Sequence, residues 1–308
     1  MSCVPVADDG DETCANCGTT ASDTVKLKNC TACLLVKYCG VDCQKNHRKQ
    51  HKKACKERAA ELMDERLYSQ GHERQEGDFC PICTLPVPSP ISKNARFKAC
   101  CMKMVCVGCV LASGKRGMNE VCAFCRTPKP YGDAAKLAQV QARVGKKDPE
   151  AIKFLGDINF HGLIGQAKDM KRAVELWTEA ADLGSVNALF MVGCSYHYGY
   201  GTARDIKRAV RFYEKAAMLG NSMARHALGD FELNHRGNYD RAARHFLISA
   251  KMGHEESLNK IKSMFTQGHA NKTQYAEALT GYQDALVEMN SPEREEYKIF
   301  CENHGHIL

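Results

Sequence analysis

The most regular alternation of apolar and polar positions fills the C-terminal half of the sequence. The string Lys171-Arg172-Ala173-Val174-Glu175-Leu176-Trp177, closing with Ala180-Ala181-Asp182-Leu183-Gly184, returns as Lys207 to Tyr213 and Ala216 to Gly220. That offset is 36 residues throughout. A third copy, Asp240 to Phe246 with Ala250 to Gly253, follows after 33, and a degenerate fourth places Ala278 and Tyr282 at 36 from Ala242 and Phe246. Leu155-Gly156, Val192-Gly193 and Leu228-Gly229 mark a partner helix in each unit. Small residues there let two helices close up, while Trp177, Tyr213, Phe246 and Tyr282 fill the gap between neighbours. A period of this length predicts stacked helix pairs, each burying its apolar face on the next. Upstream, Ala59, Ala60, Leu62, Met63 and Leu67 predict a short amphipathic helix within 56–68, and a second helix is expected from about Asp133 to Val144. The polar stretch Gly71–Asp78 reads as a hinge.

The N-terminal half is patterned by cysteine instead. Cys14-x-x-Cys17, Cys30-x-x-Cys33, Cys39-x-x-x-Cys43 and His51-x-x-x-Cys55 come first. Cys80-x-x-Cys83, the adjacent Cys100 and Cys101, Cys106-x-x-Cys109 and Cys122-x-x-Cys125 follow. Zinc held by four thiolates at about 2.3 Å is tetrahedral, so its sulfurs sit roughly 3.8 Å apart, a separation that a C-x-x-C turn supplies. Residues four apart on a helix share a face, which suits His51 with Cys55 and Cys39 with Cys43. His47 competes for the histidine position, but it lies eight residues from Cys55. Segments this short bury no core of their own, so metal takes that role. Cys3, Cys194 and Cys301 are left without partners at metal spacing. Cys194 reads as a core residue.

Residues 14–55 resemble a MYND-type zinc finger across all eight ligand positions, although Arg48 stands where that family often has tryptophan. The resemblance implies one zinc on Cys14, Cys17, Cys39 and Cys43 and another on Cys30, Cys33, His51 and Cys55. Residues 80–126 resemble an all-cysteine RING-type finger. That implies interleaved sites, Cys80, Cys83, Cys106 and Cys109 for one ion and Cys100, Cys101, Cys122 and Cys125 for the other, four zinc ions in all. Neighbouring side chains of an extended segment point opposite ways, so Cys100 and Cys101 are expected in a bend. Ala123 occupies a place where many such fingers carry proline. The repeats resemble Sel-1-like units, relatives of the tetratricopeptide fold that build curved solenoids.

Composition adds boundaries to this picture. Eighteen cysteines behind a polar, acidic start, with no signal-peptide pattern, point to reduced thiols and metal inside a cell, cytoplasmic or nuclear. No apolar run approaches the ~20 residues of a membrane span. The net charge of +7 is modest, and part of it lies between Lys45 and Arg58. A basic helix can follow phosphates. Without interleaved aromatics this one reads better as a solvated face, and nucleic acid is not the expected partner. Leu85 to Pro90 is a proline-rich loop that shapes the second finger.

The expected fold class is multidomain: two small zinc-stabilised α+β fingers, then an all-α solenoid. The expected boundaries are a flexible start at 1–13, the first finger at 14–55, a helical linker at 56–79 and the second finger at 80–126. A linker helix at 127–147, repeats at 148–290 and a tail at 291–308 complete the chain. The sequence holds no recognisable nucleophile pattern or phosphate loop. The RING resemblance implies a ubiquitin ligase that positions a ubiquitin-conjugating enzyme without a nucleophile of its own. In that reading Ile82, Val110 and Leu111 form the docking surface and Arg126 is the bridging cation. The other reading is a scaffold whose MYND finger and repeats bind extended peptide segments of other proteins, acidic or proline-containing ones at the finger.

Overall fold

The computed structural model describes residues 13–304, so Cys3 and most of the expected flexible start lie outside it. The chain divides into two compact units, one up to Ser69 and one from Gln70 onward. In the first, β1 (Lys28–Asn29) and β2 (Lys37–Tyr38) pair antiparallel, and α1 runs from Val41 to Ser69. The helix expected within 56–68 is therefore the second half of one continuous helix, because no residue between Cys43 and Leu67 is a proline or glycine that would break it. Cys39 sits just before this helix and only Cys43 lies in its first turn, so the pair does not share a helix face as expected.

The second unit opens with a 3₁₀ turn (Glu76–Asp78), followed by α2 (Ile91–Asn94), β3 (Ala95–Lys98), β4 (Lys103–Cys106) and α3 (Val107–Lys115). β3 and β4 form a hairpin in register Ala95–Cys106 to Lys98–Lys103. Its turn carries Cys100 and Cys101, bent as the adjacency of the two cysteines requires, with Met102 in the left-handed region at φ 55°.

Helix α4 (Gly132–Val144) leads into the solenoid pairs α5 (Pro149–His161) and α6 (Met170–Asp182), then α7 (Val186–Tyr198) and α8 (Ile206–Met218). The stack continues with α9 (Ser222–Phe231) and α10 (Tyr239–Lys251), then α11 (Glu255–Thr266) and α12 (Lys272–Glu288). A short π-helical turn at Glu232–Arg236 ends α9. Every start from α5 to α12 is capped by a side chain that accepts a backbone N–H of the first turn: Asp148, Asp169, Ser185, Asp205, Asn221, Asn238, His254 and Asn271. Each cap contributes about 1 kcal/mol. The paired glycine and aromatic positions behave as their spacing predicts. A β-carbon at Gly156, Gly193 or Gly229 would lie 2.6 Å from the ring of Trp177, Tyr213 or Phe246 respectively.

Two segments depart from the expected layout. Residues 70–78 are not a hinge but a strap laid across the turns between successive repeats. Arg225 donates to the Gln70 carbonyl, Gln75 Nε2 donates to Asn187 Oδ1 at 2.9 Å, and Arg74 reaches Glu288 and the Met252 carbonyl. The polar composition that suggested mobility supplies these hydrogen bonds. The expected tail at 291–308 instead forms α13 (Pro292–His304). It packs on α3 through Val107, Leu111, Tyr297 and Phe300. On another side of the finger, Phe97, Ala99 and Met102 join Val140, Ala151, Phe154 and Ile158 of α4 and α5. The second finger is thus wedged between the first repeat and the last helix of the same unit.

Candidate metal centres

Four short loops with one shared geometry build the sites. In Cys14–Cys17, Cys30–Cys33, Cys80–Cys83 and Cys122–Cys125, the residue after the second cysteine donates its N–H to the carbonyl of the first. Those bonds are Gly18 to Cys14 at 2.9 Å, Leu34 to Cys30 at 3.0 Å, Thr84 to Cys80 at 2.8 Å and Arg126 to Cys122 at 3.0 Å. The first cysteine's own N–H then donates across the knuckle to Thr19, Val36, Leu85 or Thr127. The turn puts that following residue in the left-handed region: Gly18 at φ 73°, Leu34 at 59°, Thr84 at 58° and Arg126 at 63°. Three of the four carry a β-carbon there, which costs about 1–2 kcal/mol each in isolation. Cys106 and Cys109 are delivered differently. Cys106 caps α3, and its sulfur accepts the Cys109 N–H.

These loops bring sixteen donors into four sets, each with all ligand atoms within 4.8 Å of one another. They are Cys14, Cys17, Cys39 and Cys43; Cys30, Cys33, His51 and Cys55; Cys80, Cys83, Cys106 and Cys109; and Cys100, Cys101, Cys122 and Cys125. Both fingers are interleaved, with alternate pairs sharing a set. Cys30 and Cys55 sulfurs are 3.8 Å apart, as are those of Cys83 and Cys106, and His51 Nε2 is 3.1 Å from Cys33 Sγ. A tetrahedron with 2.3 Å Zn–S bonds has edges of about 3.8 Å. His47 stays outside its set. It stacks on His51 at 5.7 Å, and its Nδ1 lies 3.1 Å from the Tyr38 hydroxyl.

The charge properties of the sets point to a cation. Within each, one thiol is driven toward thiolate and another away from it. Burial raises Cys14, yet the N–H groups of Cys17, Cys39 and Asn16 bring it down to about 6. Its neighbour Cys39, bonded to Cys43 and Cys17, is pushed up to about 12. Burial and then Cys30 push Cys55 up to about 12. Cys106 and Cys109 hold Cys80 well down, while Cys109 is held up by Cys106 and Cys80. Burial opposes the lowering of Cys125, but the Thr127 hydroxyl and N–H bring it to about 6, and burial with Cys125 raises Cys100. Thiolates this close repel, so all four ionise together only around a positive ion. Reduced sulfur, one imidazole and tetrahedral spacing fit zinc.

The residues singled out for enzyme docking are not all on offer. Ile82 is 40% exposed and Arg126 is exposed, donating to the Met118 sulfur. Val110 is half-buried, and Leu111 is buried against α13, whose Tyr297 covers it. Leu111 is therefore a packing residue, because α13 occupies the side of α3 that the sequence left unpartnered. Cys194 is half-buried beside the Tyr213 hydroxyl at 3.6 Å, and burial lifts its thiol to about 11, as suits a core residue. Sequence reasoning missed Arg294, which reaches the second finger from α13. No spacing rule connects it to cysteines some 200 positions earlier.

Together the fold and the four ligand sets define a chain with a cysteine-rich, zinc-binding N-terminal region followed by a helical repeat solenoid. Residues 14–55 match the MYND finger family, and residues 149–185, 186–221 and 222–254 each match the Sel1 repeat. No RING family match covers residues 80–126. Among solved structures, the chain is similar to a Sel1 repeat protein from Oxalobacter formigenes at 22% identity. That match covers 49% of this chain and 64% of the other, with a TM-score of 0.44. It is also similar to a protective antigen of uropathogenic Escherichia coli strains with an SLR fold, at 25% identity over 65% and 42% of the two chains, TM-score 0.44. The chain spans less than two thirds of either structure. No curated protein matches it. Among the described residues, no helix is long and apolar enough to cross a membrane.

Proposed function

We propose that this protein is a zinc-stabilised adaptor that recognises extended segments of other proteins, with the first finger as its principal capture site. The observation that carries this reading is a groove of about 470 Å³ on that finger. Tyr38, Ala32 and Val41 form its apolar wall, and Lys45, Arg48, Lys52 and Lys56 ring it. The basic helix face that looked merely solvated in sequence is thus the rim of a concavity. An apolar floor with a cationic rim suits a short extended peptide that carries acidic residues around an apolar or proline anchor. Zinc holds the groove's shape, since Cys30, His51 and Cys55 line it and ligate at once.

The test is fluorescence polarisation with labelled acidic, proline-containing peptides at two salt concentrations. Binding is expected to weaken with salt and to fall at least tenfold in Arg48→Glu with Lys52→Glu. Equal binding by the wild type and this charge-reversed variant would remove the groove from the account.

A second reading, a RING-type ubiquitin ligase, is supported by the exposed Ile82 and by Arg126 immediately after the last ligand. Against it stands Leu111, buried in a cluster with Val107 of α3 and Tyr297 of α13. Autoubiquitination across a panel of conjugating enzymes separates the two. Activity lost in Ile82→Ala and Arg126→Ala, with zinc content retained, would favour the ligase; no discharge by the wild type leaves the adaptor.

A further inference from the structure

Of the three all-cysteine sets, the one formed by Cys80, Cys83, Cys106 and Cys109 is the most enclosed. Cys80 and Cys106 are fully buried and Cys109 is 6% exposed, whereas the set around Cys14 includes an exposed cysteine. Four thiolates around one divalent zinc leave a net charge of −2. Burying such a charge away from water is costly unless a counter-charge and hydrogen bonds accompany it. The backbone supplies two N–H···S contacts, Cys106 N–H to Cys80 Sγ at 3.4 Å and Cys109 N–H to Cys106 Sγ at 3.5 Å. Neither brings a positive charge.

Arg294 does. It lies in the first turn of α13, is itself 5% exposed, and sends its guanidinium into the finger. Nη1 donates to the Pro86 carbonyl at 2.6 Å, Nη2 donates to the Leu85 carbonyl at 3.2 Å, and Nη2 lies 3.6 Å from Cys83 Sγ. Nη1 also donates to the Met289 carbonyl, which ties the side chain to its own end of the solenoid. The approach depends on Gly108, between Cys106 and Cys109. A β-carbon there would sit 2.6 Å from the Glu293 backbone.

We infer that Arg294 is the outer-sphere counter-charge of this metal site, so that retention of the ion and docking of the C-terminal helix are one coupled event. The guanidinium fork both fixes the Leu85–Pro86 loop and sets a positive charge beside the Cys83 sulfur. Electrophiles then reach that sulfur more slowly, because the guanidinium and the loop it holds cover it. Outer-sphere partners of metal ligands typically influence affinity 10–100-fold. Coupling is reciprocal: whatever holds α13 in place holds the metal, and the loaded site holds α13. The inference rests on zinc occupying the second finger.

The test uses the full-length protein, its zinc count, and site-resolved alkylation of cysteines followed by mass spectrometry in excess chelator. Arg294→Gln keeps length and hydrogen bonding but loses the charge; Arg294→Lys keeps the charge but loses the fork. Helical content and thermal midpoint establish that both variants fold. The expected result is alkylation of Cys83 and Cys106 about tenfold faster in Arg294→Gln, with the cysteines of residues 14–55 unaffected and Arg294→Lys between Gln and wild type. Arg294→Gln at the wild-type rate, or no slower in Arg294→Lys than in Arg294→Gln, would overturn the charge role while leaving zinc binding intact. A wild-type count below four zinc ions, with Cys83 and Cys106 alkylated without delay, would overturn the metal reading and this inference with it.

Discussion

Phe97 in β3 and Phe154 in α5 face each other with ring centroids 4.2 Å apart and planes tilted by 36°. One ring belongs to the hairpin that carries Cys100, Cys101 and Cys106, the other to the first repeat of a solenoid that contributes no residue to the four ligand sets. Zinc bound in the second finger would therefore stabilise helices that contain no ligand. Stripping the metal is expected to lower the thermal midpoint of the repeats as well as to unfold residues 80–126. Phe154→Ala should cost about 2 kcal/mol in zinc-loaded protein and much less after chelation, because the partner ring is then already lost. Chemical denaturation followed by circular dichroism, with and without chelator, measures both.

The helix pairs close on glycine. Gly193→Ala would place a β-carbon against the Tyr213 ring, where the nearest atom is at 2.6 Å. The ring is 2% exposed and packs against α7, so a loss of about 1–3 kcal/mol is expected. Adding Tyr213→Leu should recover part of it. A double-mutant cycle on unfolding free energies reads the coupling.

How far the sequence reveals this molecule depends on the range of the signal. The 36-residue period and the glycine–aromatic pairing are local and repeated, so both the solenoid and its packing are legible. Ligand spacing is likewise local, and all four sets assemble as their spacing and family resemblance imply. The bend at Cys100 and Cys101 follows from needing two neighbouring sulfurs on one ion. What was not legible is every contact that joins distant segments: Arg294 to the Leu85 carbonyl, Gln75 to Asn187, Tyr297 to Leu111. A polar stretch and a charged C-terminal stretch look alike whether solvated or docked, since their hydrogen bonds can go to water or to protein.

Acid should weaken the solenoid through His254, the cap of α11. Burial, reinforced by His226 and opposed by Glu256 and Asp230, brings this imidazole down to about 4 from an ordinary value near 6.5. Its folded value is depressed, so its contribution is present above pH 6.5 and is lost as pH falls toward 4. The full loss is about 3 kcal/mol. His254→Asn keeps a cap without the titration. Stability differences between wild type and variant, measured from pH 7.5 to 4, should grow in the variant's favour as acid is added.

The left-handed residues after the cysteine pairs offer an unusual gain. Leu34, 52% exposed at φ 59°, gains little burial to offset its backbone strain. Leu34→Gly should stabilise the first finger or leave it unchanged, by up to about 1 kcal/mol, after the greater freedom of unfolded glycine is subtracted. A slower zinc release from residues 14–55 would show it. A clear loss of stability would mean that the exposed leucine packs in solution.

Open solenoids commonly gain or lose repeats, because each unit meets only its neighbours. The strap at residues 70–78 removes that freedom. Its nine residues extend over at most about 30 Å, and they are matched at once to Asn187, Gly220, Arg225 and Met252. A unit inserted between α7 and α10 would carry these anchor points out of reach of one another. Lineages descending from such a chain are thus expected to vary in repeat side chains and loops while conserving repeat number, with the short strap serving as the ruler.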